Sequence, residues 1–323
     1  MLNTQALIAP EGTGTIELLD YLFSDGSIGK EIGDKTPVAI CVAPASHFED
    51  GCARFMSLKE MTTGSTKGTI THSAIYWNNV SSGIDPSLTS FTTVAVVDEE
   101  GVVKGVNSYG FFPEKRADWS RNTAVKARTP VSGVYYVGGG DPDNPCAYPF
   151  LEDGSLNPNY AATEYNGSTI VNMLADVNGA ANTTYLVGFG DTFSAANVCH
   201  KFAPGTHDGE WYLPAMGELG YAIALYDDIN AKIAAAGNGN GVQFNSTGYY
   251  LSSTKYNRLN ACSLYPSSGY VNTGNYGLVR AFLKIKPSIS QVQINSDLID
   301  IQDARVDGLI SVTNNVLTKT GVD

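Results

Sequence analysis

Gly209-Glu210-Trp211-Tyr212-Leu213-Pro214-Ala215-Met216-Gly217-Glu218-Leu219 is the stretch on which the reading of this chain turns. Trp211 and Leu213 are large apolar residues just ahead of a helix start, able to lock that helix to a sheet. Pro214 suits the first helical position, because its φ is already helical and the helix does not need its missing N–H there. Glu218 falls in the first turn, favourable for the positive helix end, and can hydrogen-bond backbone near it. Leu219, Ile223, Tyr226, Ile229 and Ile233 continue the segment as one apolar stripe, and Gly237 fits just past its end. A single helix starting at Pro214 is the expectation.

Outward from this helix the pattern changes period. Residues 238–241, Asn-Gly-Asn-Gly, form a loop. Residues 248–285 are polar and β-prone, closing on residues 278–285, which alternate like a strand. On the N-terminal side, Phe193, Ala196, Cys199 and Phe202 recur every three residues and suggest a second helix. Ser168 can cap a further helix carrying Ile170, Val171, Leu174 and Val177, ended by Asn178-Gly179. Residues 21–27 read as a strand entering a turn, and residues 38–43 as a buried strand that residues 53–58 can pair with. Residues 91–97 and 101–106 flank Asp98-Glu99-Glu100 and read as a hairpin. Residues 1–18, broken by Pro10-Glu11-Gly12-Thr13-Gly14, suit an extended arm. Residues 287–323 are β-branched and polar without a core of their own. The fold class expected is α+β.

Composition narrows function. The chain has 323 residues with 20 Lys+Arg against 32 Asp+Glu, a formal charge of −12, and is 43% hydrophobic and 16% charged. So acidic a chain lacks the basic footprint of nucleic-acid binding. No run of about 18 apolar residues occurs, so no membrane insertion is expected. The first residues carry no basic run, and no secretory signal is expected in them. Cys41, Cys52, Cys146, Cys199 and Cys262 are widely spaced without a CxxC pair, unlike a disulfide framework or a zinc site; buried thiols are expected. His200 and His207 are separated by Pro204-Gly205, and His47 and His72 form no ligand spacing. Cys199 and His200 are sequence neighbours whose side chains diverge on a helix, so they make no nucleophile–base couple. Gly138-Gly139-Gly140 lacks the Lys-Ser/Thr and helix of a phosphate loop. Asp98–Glu100 and Asp141–Asn144 lack EF-hand spacing and read as solvated turns. No catalytic residue, metal or cofactor is expected, and the chain does not read as an enzyme.

Three stretches together, residues 209–219, Tyr250-Leu251-Ser252-Ser253-Thr254-Lys255-Tyr256 and Val279-Arg280-Ala281-Phe282, resemble the C-type-lectin-fold proteins of gut Bacteroidetes, their prophages and phages. That group includes fimbrial-tip-like adhesins and targets of diversity-generating retroelements. Ser24-Asp25-Gly26-Ser27, followed by the strand at residues 38–42, is similar to the start of the group's domain. The resemblance implies a C-type-lectin-like domain over residues 19–286, between an N-terminal arm at 1–18 and a C-terminal extension at 287–323 that packs on a partner or drives homo-oligomerisation. The same broad fold hosts oxidases that use a late cysteine pair, of which only Cys262 has a counterpart in position.

Residues 256–276 are the binding-like stretch: 14 of the 21 are Tyr, Asn, Ser, Thr or Gly, and none is acidic. Tyrosine supplies stiff amphipathic contact area, and Asn and Ser supply adaptable hydrogen bonds. The candidate contacts are Tyr256, Asn257, Arg258, Asn260, Ser263, Tyr265, Tyr270, Asn272, Asn275 and Tyr276. In the resembled family the variable region lies just before the terminal Arg-Ala-Phe strand, which matches this location. The expectation is a phage virion fibre or surface protein, made in the host cytoplasm, that binds a host-surface glycan or protein and touches other virion proteins. The alternatives are a purely structural virion protein (head fibre, decoration or tail assembly) and a fimbrial adhesin of the bacterial cell surface.

Overall fold

The computed structural model describes residues 7–8, 16–91, 94–97, 103–107, 110–111, 162–165, 168–171, 173, 176–207, 209–237, 239–266, 270–287, 310–313 and 316–319. In chain order the strands begin with β1 (Leu7–Ile8), β2 (Tyr21–Phe23), β3 (Ile28–Gly29), β4 (Pro37–Ala43), β5 (Ala53–Ser57), β6 (Ile75–Tyr76), β7 (Val94–Val97), β8 (Val103–Asn107), β9 (Gly110–Phe111), β10 (Ala162–Tyr165) and β11 (Ser168–Val171). Helices α1 (Gly179–Val187), α2 (Ser194–His200), α3 (Met216–Ala224) and α4 (Tyr226–Ala235) follow. The last strands are β12 (Tyr250–Lys255), β13 (Ala261–Tyr265), β14 (Tyr270–Gly274), β15 (Tyr276–Gly277), β16 (Phe282–Lys286), β17 (Ile310–Thr313) and β18 (Val316–Lys319). The class is α+β.

One sheet has the order β1-β16-β5-β4-β2-β3. Its centre pairs Ile40 with Met56 and Cys41 with Phe55, the neighbours suggested by the apolar runs at 38–43 and 53–58. The late strand β16 joins on the other side of β5, Phe282 opposite Met56. Alternate residues of this sheet feed two different cores, as the period of two requires. Ile40, Val42 and Met56 pack with Met216, Leu219, Ile223, Ile229 and Ile233 of α3 and α4. Ala39, Cys41 and Phe55 pack with Trp77, Ala196, Cys199, Phe202, Trp211 and Leu213. Helices therefore cover both faces. A second sheet, β12-β13-β14-β9, is joined by the small pair β15-β6.

Three helix expectations are corrected. Ser168 caps no helix: Ser168–Val171 is strand β11, antiparallel to β10 with Thr163 opposite Ile170, and helix α1 starts at Gly179; Leu174 lies outside the described residues. Ser168-Thr-Ile-Val is β-branched in three of four positions, which favours a pleated strand. The stripe from Leu219 to Ile233 is two helices, broken at Leu225 (φ −106°, ψ 21°). Asp227 and Asp228 lie in the first turn of α4, where carboxylates favour a new helix start. Pro214 stands ahead of the N-cap Ala215 rather than in the first turn. Its carbonyl is held by the Ser253 N–H at 2.7 Å, which keeps that residue on the sheet side of the boundary. Strands β7 and β8 pair antiparallel, as expected of the two β-prone runs that flank Asp98-Glu99-Glu100.

The start of α3 binds the two sheets together. Glu218 reaches back to accept from Ala215 N at 3.0 Å. Its other oxygen accepts from Arg54 Nε of β5 and from the Tyr212 hydroxyl, each at 2.9 Å. Met216 N donates to Thr254 Oγ1 of β12 at 2.8 Å, and that hydroxyl donates to Asp176 at 2.7 Å. Gly217 N donates to the Asp176 carbonyl at 2.8 Å. A Cβ at Gly179 would lie 2.2 Å from Glu218 Oε2, so only glycine lets α1 start against this carboxylate.

Trp211 is 1% exposed and meets Phe202 edge-on with ring centres 4.8 Å apart. Trp211→Ala is expected to destabilise the fold by about 3–5 kcal/mol, read from denaturant unfolding. Asp50 forks onto Arg54 with two contacts of 3.1 Å. Partial burial pushes its carboxyl up, but the hydrogen bonds and charge of Arg54 outweigh this and hold it below the ordinary value. A lowered folded value means stabilisation that is present above the unfolded value and lost as pH falls through the folded one. Asp50→Asn should therefore lower stability near pH 7 by no more than about 1 kcal/mol, since the pair is partly solvated. Unfolding midpoints of the two proteins should converge in strong acid.

Candidate binding face

The outer tyrosines are set by backbone pairing. Strand β15 lies antiparallel to β6 with Tyr276 directly opposite Tyr76. The two rings are 4.8 Å apart and tilted by 49°, and the residues remain 48% and 53% exposed. Offset, tilted rings at this spacing attract one another beyond simple burial. Next to them Tyr249 and Tyr265 stand 5.4 Å apart. Tyr249 lies directly over two glycines: a Cβ at Gly274 or Gly277 would come within 2.9 Å of its ring. Burial pushes the Tyr249 phenol up, and the neighbouring phenols of Tyr265 and Tyr276 push it further. Tyr76 and Tyr276 on the β15-β6 pair, and Tyr249 and Tyr265 beside the second sheet, thus make two neighbouring aromatic pairs, together the tyrosine run.

The remaining candidates divide by role. Asn257 Oδ1 accepts from the N–H groups of Leu259 and Asn260 at 2.9 Å each, closing its own turn. Arg258 is exposed at the tip of that turn. Its carbonyl accepts from Asn78 Nδ2 at 2.7 Å. Tyr256 is half-buried and packs on the first core. Asn260 is half-buried, and its carbonyl accepts from the backbone of Tyr256 and Asn257. Asn272 is half-buried and accepts from Thr273 N at 2.8 Å. Tyr270 pairs across the ladder with Tyr265 and Phe111; its side chain lies outside the described residues.

Ser263 does not reach the face. It is 0% exposed, and its Oγ meets no hydrogen-bond partner among the described residues. Strand β13 is covered on both faces, so a polar residue in it does not mean an outward one. Asn275 is a structural clamp: its Oδ1 accepts from Asn78 N at 2.9 Å, and its carbonyl accepts from Trp77 N at 2.7 Å. Those two bonds fix β6 beside β15. Tyr76 and Tyr249 were missed by sequence reasoning. Tyr249 borders the tyrosine-rich stretch and was within reach of that signal; Tyr76 lies two hundred residues upstream with no local cue.

The other singled-out groups lie elsewhere. Cys41, Cys52, Cys199 and Cys262 are buried free thiols. Cys41 pairs across the sheet with Phe55. His72 contacts the buried Glu60 at 3.0 Å. Residues 98–100, 138–144 and Cys146 lie outside the described residues. Among the described residues no group of three or more His, Cys, Asp or Glu side chains could hold a metal ion, and no helix is long and apolar enough to cross a membrane.

No protein-family model matches this chain, and no curated protein matches it. A crystal structure of a fimbrial protein from Bacteroides ovatus ATCC 8483 is similar to it at 15% identity and a TM-score of 0.39, over 83% of this chain and 48% of that one. The chain thus spans about half the length of that protein.

Asn275→Ala should cost about 1–3 kcal/mol, since it leaves a buried N–H unpaired. It should also speed hydrogen exchange at Trp77 and Asn78 while leaving β4 and β5 unchanged.

Proposed function

We propose that this chain is a recognition protein of C-type-lectin-like fold, not an enzyme, that presents its tyrosine run to a host-surface glycan or protein. The observation that carries the reading is the exposed, paired Tyr76 and Tyr276 on hydrogen-bonded backbone. Tyrosines have few rotors to freeze, and here their backbone is already held, so contact costs little ordering entropy. The stretch from Tyr249 to Tyr276 contains six of the 18 tyrosines and no acidic residue, although the chain carries −12 overall. The resemblance of residues 209–219, 250–256 and 279–282 to the C-type-lectin-fold group supports the fold. The carrier proposed is a phage virion, with the arm and the C-terminal extension serving anchorage or homo-oligomerisation. On a fimbria the same face would serve adhesion.

The test is binding of the purified chain to intact gut Bacteroidetes cells, measured by flow cytometry against a Tyr76→Ala/Tyr276→Ala variant. Loss of two central aromatic contacts should weaken binding at least about thirtyfold, with the unfolding temperature little changed. Equal binding by the variant contradicts the reading. Burial of these tyrosines against a neighbouring subunit in an assembled particle would instead favour a purely structural virion role.

A further inference from the structure

We propose that the groove between the 62–66 loop and α2 is a second binding site, for a neutral saccharide unit. The groove encloses about 410 Å³, within the range of about 300–1,000 Å³ usual for small-molecule sites. Its two walls are held independently of any ligand. Glu60 and Thr69 exchange backbone hydrogen bonds at 3.1 and 2.7 Å, closing the base of the loop. Ala203 N, just beyond α2, donates to the Thr66 carbonyl at 2.7 Å.

Asn197 is the feature that points to a ligand. It is 7% exposed and lines the groove. Its Nδ2 donates to the carbonyls of Gly190 at 2.6 Å and Phe193 at 3.0 Å. Both amide hydrogens are therefore spent on backbone, the orientation of the carboxamide is fixed, and Oδ1 meets no donor among the described residues. The side chain is largely buried and only its amide oxygen is left open, so this oxygen is a preformed acceptor for one hydroxyl.

The rest of the lining suits the same chemistry. Asp191 and Lys201 lie 3.1 Å apart, both exposed, and offer an acceptor and a donor with no net charge. The hydroxyls of Ser194 and Thr63 can donate or accept, and Val198 supplies an apolar patch for a sugar's C–H face. Adjacent hydroxyls of a pyranose both donate and accept, which this mixture satisfies. An anion would face the Asp191 carboxylate and the Asn197 oxygen. The lining of the groove shares no residue with the tyrosine run.

The test is a two-dimensional NMR titration of the full chain with methyl α-mannoside, methyl β-glucoside, methyl β-galactoside and N-acetylglucosamine. At least one of these should shift the Asn197 side-chain amide and the Ser194 and Lys201 backbone amides, with a dissociation constant in the millimolar range. Ser194→Trp should fill the groove and abolish the shifts. Thr63→Trp, on the exposed opposite wall, does the same if the first variant fails to fold. Tyr76→Ala/Tyr276→Ala should keep the shifts, which separates this site from the tyrosine face. The proposal is overturned if none of the four sugars shifts these resonances, or if the shifts persist in a folded groove-filled variant.

Discussion

A helix N-terminus leaves backbone N–H groups that need partners, and the first turn of α3 takes its partners from three different parts of the chain. Ala215 N is satisfied by Glu218, Met216 N by Thr254 of β12, and Gly217 N by the Asp176 carbonyl. Glu218 in turn holds Arg54 of β5, with side chains only 1% and 4% exposed. Burial raises the Glu218 carboxyl, against the opposing pull of the Arg54 charge and of the hydrogen bonds from Ala215 and Tyr212. The pair's value is conditional: removing one partner strands a buried charge, at a cost of about 3–5 kcal/mol. That condition ties the six-stranded sheet, α3 and the second sheet into one arrangement.

The tyrosine run depends on this clamp through β12. Ser253 and Thr254 are fixed to the α3 start, so Tyr249 just before them has a defined position. After them, Lys255 is buried and donates to the Pro86 carbonyl at 2.7 Å and to Asp85 at 2.8 Å. From β12 the ladder passes through β13 to β14, and Asn275 then sets β15 against β6. The rings at the surface therefore stand on backbone that is hydrogen-bonded at each step. In the proposed recognition role, a face built in this way gains affinity by avoiding ordering costs rather than by adding area.

Much of this was legible from residues 209–219 alone. Trp211 and Leu213 are buried, and Glu218 binds backbone as its place in the first turn suggests. The pairing of β4 with β5 was legible because each run carries its own pattern. The helix expected from Ser168 onward has apolar spacing that fits a helix, but the β-branched residues of Ser168–Val171 settle into a strand. The site was only half legible. Ser263 looks like a contact in composition, yet its strand is covered on both faces. Asn275 looks like an adaptable hydrogen-bonder, but a backbone N–H from Asn78 already occupies its side chain. Tyr76 becomes visible only when β6 meets β15, a pairing that local pattern does not encode.

Native-state hydrogen exchange tests the central claim, that the α3 start joins both sheets into one cooperative unit. Ser57 N and Cys41 N report the first sheet, Leu251 N and Ser253 N the second, and Met216 N and Gly217 N the clamp. All six amides should exchange at one free energy, equal to that of global unfolding. Exchange of Leu251 and Ser253 through a separate, lower-energy opening while Cys41 and Ser57 stay protected would contradict it.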